Sequence, residues 1–153
     1  MNRVEKLRES VDTILLNMAD HDERRCAYLH LYGVAQCCAL IALKRGGNVE
    51  LAVMAGMLHD IYSYAKMDTS EHAHKGAVLA KEILISLNIT NEEETNLICD
   101  AIYSHSDKDI LHSNFTEILI DADVMQHCLY NPAFEIAPHE RARFERLKSE
   151  FGL

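Results

Sequence analysis

The chain has 153 residues, 48% of them hydrophobic, which suits one domain with a core of its own. Its formal net charge of −9 argues against a long nucleic acid as partner, since that backbone is bound through clustered lysine and arginine. A small anion held through a metal stays allowed. No stretch approaches the roughly 20 apolar residues of a membrane helix, and charged residues interrupt Val4, Leu7, Val11, Ile14 and Leu15, unlike a signal-peptide core. Cys26, Cys37, Cys38, Cys99 and Cys128 form no C-x-x-C pair or disulfide ladder and read as reduced thiols. A cytoplasmic protein away from membranes is expected.

The hydrophobic period is helical nearly throughout, and the two prolines, Pro132 and Pro138, fall in the last quarter. An opening helix carries Val4, Leu7, Val11, Ile14 and Met18 at spacings of three and four. A second is expected from about Glu23 to Lys44, with Leu31, Val34, Cys38 and Ile41 on one face and a stop at Gly46-Gly47. Asn48 can cap a third, running through Leu51, Met54 and Leu58 to about Tyr62. Ser70 can cap a fourth through Leu79, Ile83 and Leu87. Asn91 and Glu94 have the spacing of a capping box for a fifth, ending near His105. The sixth covers about Phe115 to Leu129, although Ile118-Leu119-Ile120 alone also fits a short buried strand. The last, from Pro138 to Phe151, reads as a surface helix with Phe144 and Leu147 packed inward. An all-α, single-domain bundle of about six to seven helices over 1–153 is expected, with 1–20 and 138–151 as flanking helices. An apolar face on the first or last helix could support a homodimer.

Nine histidines occur, and their positions matter more than their number. His30 lies mid-helix, where an interior histidine with a satisfied ring is the ordinary explanation. His59-Asp60 follows an apolar run, and two adjacent ionisable groups there need compensation. Neighbouring helical side chains diverge by about 100°, so both can face one site most easily at a helix end. His72 and His105 fall at helix mouths. Asp121 and Asp123 lie among residues expected in the core, where a carboxylate is costly unless paired or bound to a cation.

Taken in order, His30, His59-Asp60, His72, His105 and Asp123 resemble the HD-domain superfamily of metal-dependent phosphohydrolases, over roughly residues 25 to 130. Ala55-Gly56-Met57-Leu58-His59-Asp60-Ile61 is the strongest local match, and Ala122-Asp123 favours Asp123 over Asp121 as the last ligand. The resemblance implies a site with Asp60 bridging two ions, His30, His59 and Asp123 on one, and His72 and His105 on the other. A single-ion site is the alternative. Asp60 and His59 are the implied catalytic residues. Imidazole and carboxylate donors suit Fe, Mn, Co, Ni or Zn, and two close ions would activate a water for attack on phosphorus.

The implied activity is hydrolysis of a small, nucleotide-like phosphate ester: a phosphomonoester, a phosphodiester or a dinucleotide. A diiron oxygenase and a catalytically silent nucleotide-sensing module are the alternatives. Many relatives continue the His-Asp pair as Ile-Gly-Lys, whereas this chain reads Ile61-Tyr62-Ser63-Tyr64-Ala65-Lys66. Lys66, Lys75 and Arg24 are candidate replacements for the missing phosphate-binding lysine. Tyr62 and Tyr64 could line a base-binding pocket. His21, His74, His112, His127 and His139 are expected on the surface or supporting the ligands.

Overall fold

The computed structural model describes residues 2–153, and every regular element among them is helical. Local sequence signals set most of the boundaries. Helix α1 (Arg3–Leu16) starts where the Asn2 side chain accepts from the Glu5 amide at 2.9 Å. Helix α2 (His21–Arg45) is capped by Asp20 and stops at Gly46, whose φ of 69° is the left-handed turn that glycine adopts without penalty. Helix α3 (Val49–Leu58) is capped by Asn48 as the sequence suggests. Helix α6 (Glu92–Ser104) opens on the complete Asn91/Glu94 capping box. Helix α7 (Asn114–Tyr130) is capped by Ser113, and α8 (Pro138–Phe151) begins on its proline. The Ile118-Leu119-Ile120 run is helical, inside α7.

Two boundaries differ from the sequence reading. The third expected helix divides, because Asp60 (φ −112°, ψ 13°) leaves the helical conformation and the chain restarts as α4 (Ile61–Lys66). The fourth expected helix, α5 (His72–Leu87), starts after Glu71 in the left-handed conformation and without a side-chain cap. Ser70 instead takes a hydrogen bond from Lys75 through its hydroxyl.

Helix α2 lies at the centre, packed along α3 and α7, while α5 packs along α6. Contrary to the sequence reading, α2 is long and apolar enough to cross a bilayer by composition alone, but Leu31, Val34, Cys38 and Ile41 are fully buried within the bundle. The α2–α3 crossing brings backbone against backbone: a Cβ on Gly56 would lie 2.6 Å from Ala35 Cα. Leu7, Val11 and Leu15 of α1 close one side of the core. Helix α8, read as a surface element, buries Glu140 and Arg143 as well as Phe144 and Leu147.

Candidate metal centre

The break between α3 and α4 lets consecutive residues face the same point. His59 is the last residue of the helical run, with no exposed surface, and Asp60 turns its carboxylate beside it. Asp60 Oδ2 lies 3.3 Å from His30 Nε2 and 3.6 Å from His59 Nε2. Asp60 Oδ1 lies 3.3 Å from His105 Nε2 and 3.6 Å from His72 Nε2. Asp123 Oδ1 approaches His30 Nε2 at 3.6 Å and His59 Nε2 at 3.7 Å. The six residues singled out in the sequence therefore share one place in the bundle. Their donor atoms fall into close sets, His30/His59/Asp60 and Asp60/His72/His105, with Asp60 common to both.

The proton positions on the rings follow from their partners. His59 Nδ1 contacts the Gly56 carbonyl at 2.8 Å, His105 Nδ1 the Ile102 carbonyl at 2.7 Å and His72 Nδ1 the Thr69 carbonyl at 3.2 Å. His30 Nδ1 contacts the Gln126 amide oxygen at 2.9 Å. Each of these oxygens only accepts, so each Nδ1 carries a hydrogen, and each Nε2 is turned toward the carboxylates. His30 Nε2 and His59 Nε2 stand 3.0 Å apart, a spacing that requires a proton or another cation between the two nitrogens. Beside them the buried Asp60 Oδ1 takes no hydrogen bond, a loss that ordinarily costs about 1–3 kcal/mol or more for a charged group. Imidazole nitrogens and carboxylates gathered at this spacing suit a cation, and hard oxygen with imidazole nitrogen suits a divalent transition metal. The residues fit such an ion.

The electrostatics differ from ring to ring. Burial pushes the His59 imidazolium down to about 4 against the charge of Asp60, so the ring is neutral near pH 7. Burial also opposes ionisation of Asp60, but His59, His105 and His30 outweigh it and hold the carboxyl well below its usual range. At His30 and His105 burial lowers the pKa, and the neighbouring carboxylates more than restore it.

Asp121 and Asp123 separate cleanly. Two residues apart on α7, they face opposite ways: Asp121 is held at 2.7 Å by both Arg45 and Arg143 and ties α7 to α2 and α8. Asp123 receives Lys108 at 2.8 Å.

Three residues not singled out, Gln126, Lys108 and Glu140, complete the surroundings together with His127, which the sequence reading placed on the surface or in support of the ligands. Gln126 orients His30 and packs on α2 at Gly33, where a Cβ would stand 2.9 Å from Gln126 Cγ. Lys108, from the α6–α7 loop, bridges Asp123 and Glu140 at 2.8 Å each. His127 Nδ1 donates to Glu140 at 2.9 Å while its Nε2 lies 3.4 Å from Asp123. With His30 and Asp123, His127 forms a further set able to hold an ion. The spacing of Asp123 and His127 by four puts them on one helix face, a signal present in the sequence. Nothing local marks Lys108 or Glu140.

The candidate phosphate contacts lie elsewhere. Lys75 pairs with Asp68 at 3.2 Å and with Ser70 at 2.8 Å, because α5 starts within reach of that turn. Lys66 and Lys75 line a hollow with Tyr62 and Glu82. Arg24 donates to the Leu16 and Met18 carbonyls, closing the α1–α2 turn. His74 stacks on Tyr103 with centroids 4.0 Å apart, and His112 donates to the Asp107 carbonyl. Tyr64, in contrast, stands beside the site, its ring 6.5 Å from that of His30.

The HD domain family matches residues 27–128, and the chain belongs to it: the metal-dependent phosphohydrolase superfamily that its series of histidines and aspartates resembles. A crystal structure described as a predicted HD superfamily hydrolase from an uncultured Thermotogales bacterium has the same fold, at a TM-score of 0.65 and 22% identity, over 95% of this chain and 87% of that one. No curated protein matches. Helix α8, with Glu140 and Arg143, lies beyond the matched family segment.

Proposed function

We propose that this chain is a metal-dependent phosphohydrolase acting on a small, nucleotide-like phosphate ester, with His30, His59, Asp60, His72, His105 and Asp123 holding one or two divalent ions. The observation that carries this reading is the convergence of four imidazole Nε2 atoms on the carboxylates of Asp60 and Asp123, with one buried oxygen of Asp60 taking no hydrogen bond. Asp60, whose oxygens face different histidine pairs, supports the two-ion version. A divalent ion bound there supplies Lewis acidity and lowers the pKa of water.

The chain's own residues do the rest. His59 stays neutral and keeps a nitrogen lone pair available, and Gly56 fixes its ring. Lys108 lines a polar cavity of about 350 Å³ together with Asp60, His72, His105 and Asp123, and its ammonium can receive phosphate oxygens as a point charge. It fills the role left vacant where the His-Asp pair is not followed by Gly-Lys, which weighs against a catalytically silent module. Glu140 anchors both Lys108 and His127 at the edge of this cavity.

The test is metal content and product release measured together. Wild-type protein, Asp60→Ala and His105→Ala are analysed for bound metal with helical content checked, and the metal-loaded wild type is offered phosphomonoesters, phosphodiesters and dinucleotides. About two ions in the wild type, near none without Asp60 and fewer without His105, with phosphate or nucleotide released, is the expected result. Retained metal with no product from any class would overturn the hydrolase reading.

A further inference from the structure

Beside the polar cavity, and sharing His127 with it, a second cavity of about 250 Å³ opens between α2, α4 and α7. Its walls are Cys26, Leu29, Tyr64 and Tyr130, and its base is formed by His30, Gln126 and His127. No carboxylate, lysine or arginine lines it, whereas the polar cavity contains Asp60, Lys108, Asp109 and Asp123. Leu29 and Tyr130 are about half exposed at 46% and 55%, so apolar surface here is left to water at a cost of about 25 cal/mol per Å².

Rings dominate the lining. His30 and His127 lie nearly parallel, with centroids 5.1 Å apart and planes at 13°, and Tyr64 is tilted against His30. Such faces and edges favour a planar aromatic guest in offset or edge-on contact. A cavity of about 150 Å³ accommodates benzene, so this one has room for one or two rings. His30 spans the distance between the cavities: its Nε2 is 3.3 Å from Asp60, and its ring forms the base of the apolar cavity.

We infer that this cavity is the subsite for an uncharged, apolar, preferably aromatic group carried by the phosphate ester. The inference rests on the hydrolase reading for the position of the phosphate, which would sit in the polar cavity at Lys108. It assigns the specificity to Leu29, Tyr64 and Tyr130 and predicts discrimination against esters whose remainder is polar, such as a sugar phosphate.

The test is equilibrium binding of 1-naphthyl phosphate and ribose 5-phosphate to the metal-loaded protein, with phosphate release from each followed separately. Wild-type protein is expected to bind the naphthyl ester at least about tenfold tighter than the ribose ester, and the uncharged Leu29→Asn to erase that preference while inorganic phosphate binds both proteins alike. Tyr130→Ala, altered at an exposed helix end, should narrow the preference by about fivefold. Equal affinity for the two esters, or a preference that survives both substitutions, overturns the inference even if both esters are hydrolysed. A Leu29-dependent preference without phosphate release upholds the subsite and overturns the hydrolase reading instead.

Discussion

Lys108 Nζ stands 2.8 Å from Asp123 Oδ2, and a second contact of the same length to Glu140 fastens that ammonium to α8. The lysine is half of a buried ion pair and also the cation bordering the polar cavity. Lys108→Met is therefore expected to lower kcat/KM for a phosphate ester by about 100-fold, near 2.7 kcal/mol. Lys66→Ala and Lys75→Ala should stay within about twofold of wild type. Steady-state kinetics on the three variants checks this, with circular dichroism to confirm folding. Undiminished turnover in Lys108→Met would remove this lysine from phosphate binding.

Gly33 and Gln126 make a second prediction. Because a Cβ at position 33 would press on Gln126 Cγ at 2.9 Å, Gly33→Ala should displace the amide that orients His30. A supporting contact of this kind commonly sets metal affinity by about 10- to 100-fold. Metal titration of Gly33→Ala should show a loss in that range with helical content retained. Unchanged affinity would mean that Gln126 does not govern the ring.

Metal removal should be visible as lost stability. An ion at 1,000 times its Kd stabilises the folded chain by about 4 kcal/mol, on the order of 10 °C in Tm for a domain of this size. Thermal melts with and without a chelator should differ by that order in wild type and hardly at all in Asp60→Ala. Coincident melts of metal-loaded and chelated wild type would contradict the ligand assignment.

Glu140 provides a pH signature. Burial works against its charge, but hydrogen bonds from His127 and Lys108 outweigh it and hold the carboxyl at about 2, below the ordinary 4.5. A lowered carboxyl stabilises the folded state fully above about pH 4.5 and loses that contribution as pH falls toward about 2. Glu140→Gln should thus cost up to about 3 kcal/mol at pH 7, and the gap to wild type should close across that acid window. Urea unfolding at pH 7, 5, 4 and 3 measures it, and a pH-independent gap would show that the carboxylate charge is immaterial.

The sequence conveyed the helices and the order of the ligands well, for physical reasons. Periodicity and caps such as Asn48 and Asn91 are local, and so is the His59-Asp60 pair with its apolar approach. Pairings across the bundle were not legible. Arg45 and Arg143 neutralise Asp121 from positions 76 and 22 residues away, so no local cue separates it from Asp123 without the family resemblance. Glu140 sits in a run of charges typical of a solvated face, yet only the docking of α8 decides which of them is buried. Lys108 lies in a polar loop whose course depends on where α6 ends and α7 begins.

The break after Leu58 also has a mechanical side. Asp60 is the hinge on which α4 hangs, and Tyr64, one helical turn further along, is a wall of the apolar cavity. An ion held by Asp60 would sit one helical turn from that wall and would share His30 with the same cavity. Coupling between two sites is reciprocal: a guest that changed the affinity for the ion would have its own affinity changed by the ion by the same factor. Cargo and metal would then be partners in one thermodynamic cycle, joined at the imidazole of His30, which faces both.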